Sequence, residues 1–159
     1  MKKKKETGAS TKTAATNRKA RHEYHILESF EAGVVLQGTE IKSIRQGKVN
    51  LQDSFAQIDR GEVYLMDCHI SPYDHGGYVN HDPKRPRKLL LHKKEIIRLF
   101  GKLQTKGFTL VPLKIYFVRG KAKVQLALAR GKKLFDKRED IKRRDMDREM
   151  ERAKSMKYI

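Results

Sequence analysis

The stretch Val111-Pro112-Leu113-Lys114-Ile115-Tyr116-Phe117-Val118-Arg119-Gly120-Lys121-Ala122-Lys123-Val124-Gln125-Leu126-Ala127-Leu128 decides the fold class. Val111, Leu113, Ile115 and Phe117 alternate with Pro112, Lys114, Tyr116 and Val118, and beyond Arg119-Gly120-Lys121 the alternation resumes with Val124, Leu126 and Leu128. Successive residues of a strand point to opposite faces, so this is a β-hairpin with one face turned to a core.

Working upstream, Ile96, Ile97, Phe100 and Leu103 fall on one face of an amphipathic helix between Lys93 and Lys106, ended by Gly107. Gly76-Gly77 and the Asn80-to-Arg87 stretch, with Pro83 and Pro86, read as a basic, mobile loop. Ser54–Ile58 and Val63–Ile70 flank Asp59-Arg60-Gly61-Glu62, a second hairpin whose glycine supplies a positive φ. Ile41 and Ile44 place a short helix over Thr39–Gln46, with Thr39 as N-cap, Lys42 and Arg45 outward and Gly47 as stop. Tyr24, Ile26, Leu27 and Phe30, then Val34 to Leu36, are two strand-like runs broken by a turn or bulge at Glu31-Ala32-Gly33. About six short strands, two helices and no βαβ rhythm predict a mainly β chain, a small closed or half-closed antiparallel barrel.

The 159 residues carry 37 Lys and Arg against 19 Asp and Glu, a net charge of +18. Residues 1–21 hold 8 basic residues against 1 acid and residues 131–159 hold 11 against 7, which leaves +7 for residues 22–130. The body is basic in its own right, and a compact body of this charge calls for a polyanion, with nucleic acid first. No apolar run approaches the ~20 residues that span a bilayer, and the start lacks a signal-peptide apolar region, so a cytoplasmic, non-membrane protein is expected. Cys68 is the single cysteine, which excludes an internal disulfide and disfavours a thiolate zinc site.

Catalysis has little to stand on. His75 and His81-Asp82 could ligate a metal, but their spacing follows no ligand pattern and they sit in a Gly/Pro loop. There is no G-x-x-x-x-G-K-[ST] or G-x-S-x-G motif, and Cys68 and His69 face opposite sides of a strand. No catalytic residue, metal or cofactor is expected. Gly38-Thr39-Glu40-Ile41-Lys42-Ser43-Ile44-Arg45 instead gathers two hydroxyls, a carboxylate and two cations in one element suited to RNA, although Glu31 and Glu40 are odd on such a surface.

Both ends differ from the body. Residues 1–16 have no apolar periodicity and are expected to be disordered. From Gly131 onward, pairs such as Glu139 with Arg143 and Asp140 with Arg144 favour a helix, yet Ile141, Met146, Met150 and Met156 are too sparse to hold it on a core. This tail is expected to be unfolded when free and helical when docked.

Asn17-Arg18-Lys19-Ala20-Arg21-His22-Glu23-Tyr24, Phe30-Glu31-Ala32-Gly33, LQGTEIKSIRQGKVN at 36–50, Arg87-Lys88-Leu89-Leu90-Leu91, and Gly131-Lys132-Lys133 with Asp136-Lys137-Arg138 closely resemble the small protein B (SmpB) family of tmRNA-binding proteins. The resemblance runs from about Asn17 to the C-terminus. It implies an oligonucleotide-binding-type (OB-like) barrel over 17–130, a leader over 1–16 and a ribosome-binding tail over 131–159. It implies binding to the tRNA-like domain of tmRNA through Asn17, Glu31 and Leu90, with Arg21, His22, Gly38, Thr39, Glu40, Lys42, Ser43, Arg45 and Lys88 beside them. It further implies contact of Gly131, Lys132, Lys133, Phe135, Asp136, Lys137 and Arg138 with the 16S rRNA decoding centre, and of the tail with the empty mRNA channel. Phe135 stands where the family often has histidine; base stacking survives that change, proton transfer does not. The implied partners are tmRNA, the ribosome and the complex of alanyl-charged tmRNA with the elongation factor that carries aminoacyl-tRNAs, the protein acting as a monomer.

Overall fold

The structure is a computed structural model that describes residues 11–156. The elements are β1 (Thr11–Thr16), α1 (Arg18–Glu23), β2 (Tyr24–Val34), α2 (Gly38–Arg45), β3 (Val49–Asn50), β4 (Phe55–Asp59), β5 (Glu62–Met66), β6 (His69–Ile70), β7 (Arg87–Leu90), α3 (Lys93–Leu103), β8 (Phe108–Val118), β9 (Lys121–Gly131) and α4 (Leu134–Met156). Six strands run β8-β4-β5-β7-β2-β9, and β9 pairs again with β8, so the antiparallel sheet closes into a barrel. Closure removes the free edges that a small sheet would otherwise expose. β3 and β6 form a separate two-strand ladder.

Both expected hairpins are present. The β4–β5 turn has Arg60 at φ 50° and Gly61 at φ 76°, and the β8–β9 turn has Arg119 at φ 50° and Gly120 at φ 76°. Positive φ at both central residues matches the right-handed twist of the flanking strands. The barrel is filled by residues such as Phe30, Ala32, Val63, Leu65, Leu89, Leu110, Ile115, Val124, Leu126 and Leu128. A smaller cluster of Ala20, Val111, Leu113, Ala127 and Ala129 lies beneath α1 on the other side of the sheet.

That second cluster corrects the one-faced reading of β8. The register slips between Pro112 and Lys114, so Leu113 is an extra, bulged residue. Pro112 has no N–H to give the ladder, and a bulge is where a strand tolerates that. The bulge shifts the phase: Val111 and Leu113 face α1, whereas Ile115 and Phe117 face the barrel interior.

Other expectations also shift. Thr11–Thr16 is not disordered: it forms β1, antiparallel to the 114–118 end of β8. Residues 1–10 lie outside the described residues. Glu31-Ala32-Gly33 is no break, since β2 runs unbroken against β9 and its irregularity falls at Leu27. α3 buries Leu99, with Ile96 and Leu103 half-buried, while Ile97 and Phe100 are exposed. Arg98 and Lys102 reach Glu28 of β2 at 2.9 and 2.5 Å, which sets the roll of the helix. The 76–87 loop is tied down. Asn80 bonds both the N–H and the C=O of Tyr73 at 3.1 and 2.9 Å, and the buried His81 bridges Ile70 O and Thr39 Oγ1 at 2.9 Å each. Because a carbonyl only accepts, Nε2 of His81 donates to Ile70 O.

Candidate RNA-binding surface

Cross-strand pairing lines up two rows on the outer wall of the barrel. In one, Lys114, Gln125 and Glu31 sit side by side on β8, β9 and β2. In the next, Thr13, Tyr116, Lys123, Gly33 and Leu90 run across β1, β8, β9, β2 and β7. The expected residues Glu31 and Leu90 thereby share one concavity with Gly33, His92 and Lys123. Leu90 is 52% exposed and folds over Gly33, where an added Cβ would stand 3.2 Å from Leu90 Cβ. Only glycine lets that apolar side chain lie so low on the platform. The phenol of Tyr116 donates to Glu31 Oε2 at 2.5 Å, and the Lys114 ammonium lies 5.2 Å from the Tyr116 ring centroid. Burial pushes the Tyr116 hydroxyl above its usual range, and the Glu31 carboxylate adds to the shift, so it remains a donor. Tyr116, Lys114, Gln125 and Lys123 were absent from the expected set. The signal for them was their alternation with the core residues of β8 and β9.

The α2 element behaves differently from expectation. Lys42 and Arg45 are exposed, with Lys42 Nζ 5.2 Å from the Tyr73 ring centroid and the Arg45 guanidinium 5.9 Å from that of Phe117. Gly38 is exposed, with open space where a Cβ would stand. Ser43 and Glu40 are fully buried and offer nothing to a surface ligand. The N-cap is Gln37, not Thr39: its backbone N–H donates to Glu40 Oε1 at 2.8 Å, while the Thr39 hydroxyl is spent on His81. Glu40 also takes ion pairs from Arg85 and from Arg87, which is itself fully buried. Burial alone would raise the Glu40 carboxyl, but hydrogen bonds from Arg85, the Gln37 N–H and Arg87 outweigh it and hold the carboxyl below its usual range. The oddity of an acid on this element is thus resolved: Glu40 is the anchor of α2 and the 82–87 segment.

Asn17 is set apart from Glu31 and Leu90. Its buried side chain accepts from Ala20 N at 3.2 Å, capping α1, and donates to Pro112 O at 3.0 Å and Leu51 O at 3.3 Å. Every polar atom of the carboxamide is engaged by backbone, so Asn17 positions α1, which presents the exposed Arg21 and half-buried His22. Lys88 Nζ donates to Glu62 Oε1 at 2.9 Å on the outer wall.

The tail forms one helix, α4, and its root is fastened. Lys132 N–H donates to Glu23 O at 2.8 Å, its ammonium to Arg21 O at 3.2 Å, and it pairs with Asp140. That Lys132 bond, with burial opposing it, holds the Asp140 carboxyl below its usual range. Asp136 lies 3.4 Å from His25 Nε2. Gly131, Lys133 and Arg138 are exposed and Lys137 is half-buried; the Phe135 side chain lies outside the described residues. From Ile141 to Met156 every residue is exposed.

Among the described residues no three His, Cys, Asp or Glu side chains converge as a metal would require, and no helix is long and apolar enough to cross a membrane. A closed basic barrel with a polar platform on one wall and a projecting charge-laced helix defines a nucleic-acid-binding protein of the barrel type. The family model for SmpB protein matches residues 14–156. The chain is 60% identical over 147 residues to the SsrA-binding protein of Carboxydothermus hydrogenoformans, covering 92% of this chain and 99% of that protein. It is 62% identical over 142 residues to the SsrA-binding protein of Desulforudis audaxviator, covering 89% and 93%. A solved chain described as "tmRNA-SmpB: a journey to the center of the bacterial ribosome" superposes with a TM-score of 0.65 at 60% identity, over 76% of this chain and 85% of that one. The chain belongs to the SmpB family.

Proposed function

We propose that the protein is the tmRNA-binding adaptor of trans-translation, binding the tRNA-like domain of tmRNA and delivering it to the A site of a stalled ribosome. The observation that carries this reading is 60% identity to an SsrA-binding protein over 92% of the chain, supported by two chemically distinct surfaces, the outer wall of the barrel and the exposed helix α4. The platform holds an exposed leucine, the Glu31 and Glu95 carboxylates and Lys123 within one concavity, which suits splayed bases and sugar of a structured RNA. The projecting helix has no apolar face to bury, so its natural partner is rRNA phosphate in a narrow channel. Its 23 residues reach roughly 35 Å at 1.5 Å each, long enough to sense whether mRNA occupies the channel.

In this reading Lys137 and Arg138 meet the decoding centre as the root of α4 arrives there, and the charged tmRNA comes with its aminoacyl-tRNA-carrying elongation factor. The protein works in the cytoplasm as a monomer and catalyses nothing itself. The test is affinity for a transcript of the tRNA-like domain against a folded RNA of equal length, over a salt series. Selective binding that weakens by about three decades or more between 50 and 200 mM salt is expected for 6 to 10 phosphate contacts. Equal affinity for both RNAs, or preferential recovery of mixed rRNA from cells, would point to a general rRNA-binding component instead.

A further inference from the structure

Glu31 differs from the other glutamates of the barrel strands and of α2, although Glu95 of α3, on the rim of the same concavity, likewise has no ion pair among the described residues. Glu28, Glu40 and Glu62 each pair with Lys or Arg. Among the described residues no Lys or Arg lies within ion-pair distance of Glu31; its partner is the Tyr116 hydroxyl at 2.5 Å. The bond is made across β9, because Tyr116 stands on β8 and Glu31 on β2. Strands two apart are ~10 Å from one another, a gap that a tyrosine and a glutamate close only when both lean toward it. Tyr116 is 7% exposed, flanked by Thr13 of β1 and by Lys114, so the donor is locked in place.

The choice of partner has a chemical consequence. A lysine or arginine would neutralise the carboxylate, consume its acceptors and itself attract phosphate. A neutral phenol takes one lone pair of Oε2 and leaves Oε1, the second lone pair and the full negative charge available. A carboxylate held this way repels phosphate and selects donors; two adjacent acceptors match the imino and amino N–H groups of a guanine Watson–Crick edge, which a single 2′-hydroxyl cannot.

We infer that Tyr116 is a positioning residue for RNA recognition: its hydroxyl orients the Glu31 carboxylate to accept the N–H donors of an unpaired guanine. This rests on the proposed reading of the platform as an RNA-binding surface. The test is a double-mutant cycle on the full chain with Y116F, E31Q and the double variant, measuring Kd for the tRNA-like domain transcript at several salt concentrations. Y116F is expected to weaken binding about ten- to a hundredfold, the range for loss of a hydrogen bond to a charged group, and E31Q by at least as much. The double variant should match E31Q within about twofold, and the salt slope should not move because no phosphate contact is lost. In a transcript whose unpaired guanosines are replaced by inosine, which lacks the amino donor, wild type should lose affinity and E31Q should not.

Additive effects in the double variant, or a silent Y116F, overturn the positioning role. A 2′-deoxy substitution at the same guanosines that reproduces the Glu31-dependent loss, with inosine silent, overturns the base-edge assignment. If Y116F lowers the melting temperature, the cycle is measured at 10 °C, where a purely structural cost appears equally in the E31Q background and overturns the coupling. Failure of wild type to prefer the tRNA-like domain over a folded control RNA refutes the functional reading instead, and is distinguishable from each of these.

Discussion

Replacing Glu40 by glutamine isolates the anchor beneath α2. The substitution keeps the shape but removes the charge that faces Arg85 and the fully buried Arg87. Arg87 cannot recover water, being 0% exposed, and retains only the carbonyls of Cys68 at 2.7 Å, Pro83 at 3.1 Å and Asp82 at 3.4 Å. Breaking a buried pair by removing one partner costs ~3–5 kcal/mol. The surviving carbonyls still solvate the guanidinium and the amide oxygen still accepts one bond, so about 3 kcal/mol is expected for E40Q. For a domain of this size that lowers the melting temperature by roughly 6–12 °C. The sign of the pH effect follows from a folded carboxyl held below the ordinary range of a glutamate. Glu40 stabilises the protein fully above about pH 4.5, and that stability is lost as pH falls through the lower folded value, so the gap between wild type and E40Q must narrow on acidification. Urea unfolding followed by far-UV circular dichroism at pH 7 and pH 4 measures both effects. A loss under about 1 kcal/mol at pH 7, or a gap that widens at pH 4, would refute the anchoring argument.

Three further outcomes rest on the same geometry. Asn17→Ala should cost about 2 kcal/mol, from the lost cap and the lost bond to Pro112 O, whereas Leu51 O keeps the Ser54 N–H and hydroxyl, and Asn17→Asp should be no milder because a carboxylate cannot donate to Pro112 O; melting curves decide, and an innocuous Asp would contradict the role. In the free protein, amides of 142–156 should exchange far faster than those of β8 and β9, since that part of α4 has nothing to pack on; truncation after Arg138 should accordingly spare binding of the tRNA-like domain while abolishing peptide tagging, and equal loss of both would count against a separate tail function.

Local features were legible because they depend on near neighbours along the chain. Two hairpins with Arg-Gly at their tips, the short α2 and the charge-laced tail follow from period, turn chemistry and the distribution of charge, and a barrel follows from many short strands with no crossover rhythm. The motifs that resemble SmpB also named Glu31 and Leu90, which the sheet does bring into one concavity.

What chain order cannot convey is which face a residue takes once a bulge intervenes, or which partner across the sheet it meets. The slip at Leu113 turns Val111 and Leu113 away from the interior although their spacing from Ile115 and Phe117 is unbroken. Glu40, Ser43 and Asn17 carry polar groups that suit a surface, and only the approach of Arg85, Arg87, Leu51 and Pro112 takes the first and last of them inside. Tyr116 and Glu31, 85 residues apart in sequence, meet because β9 lies between their strands. Burial and long-range pairing depend on closure of the whole sheet: sequence by itself set the strands and the excess of positive charge, and tertiary structure decided which charged groups are left for RNA.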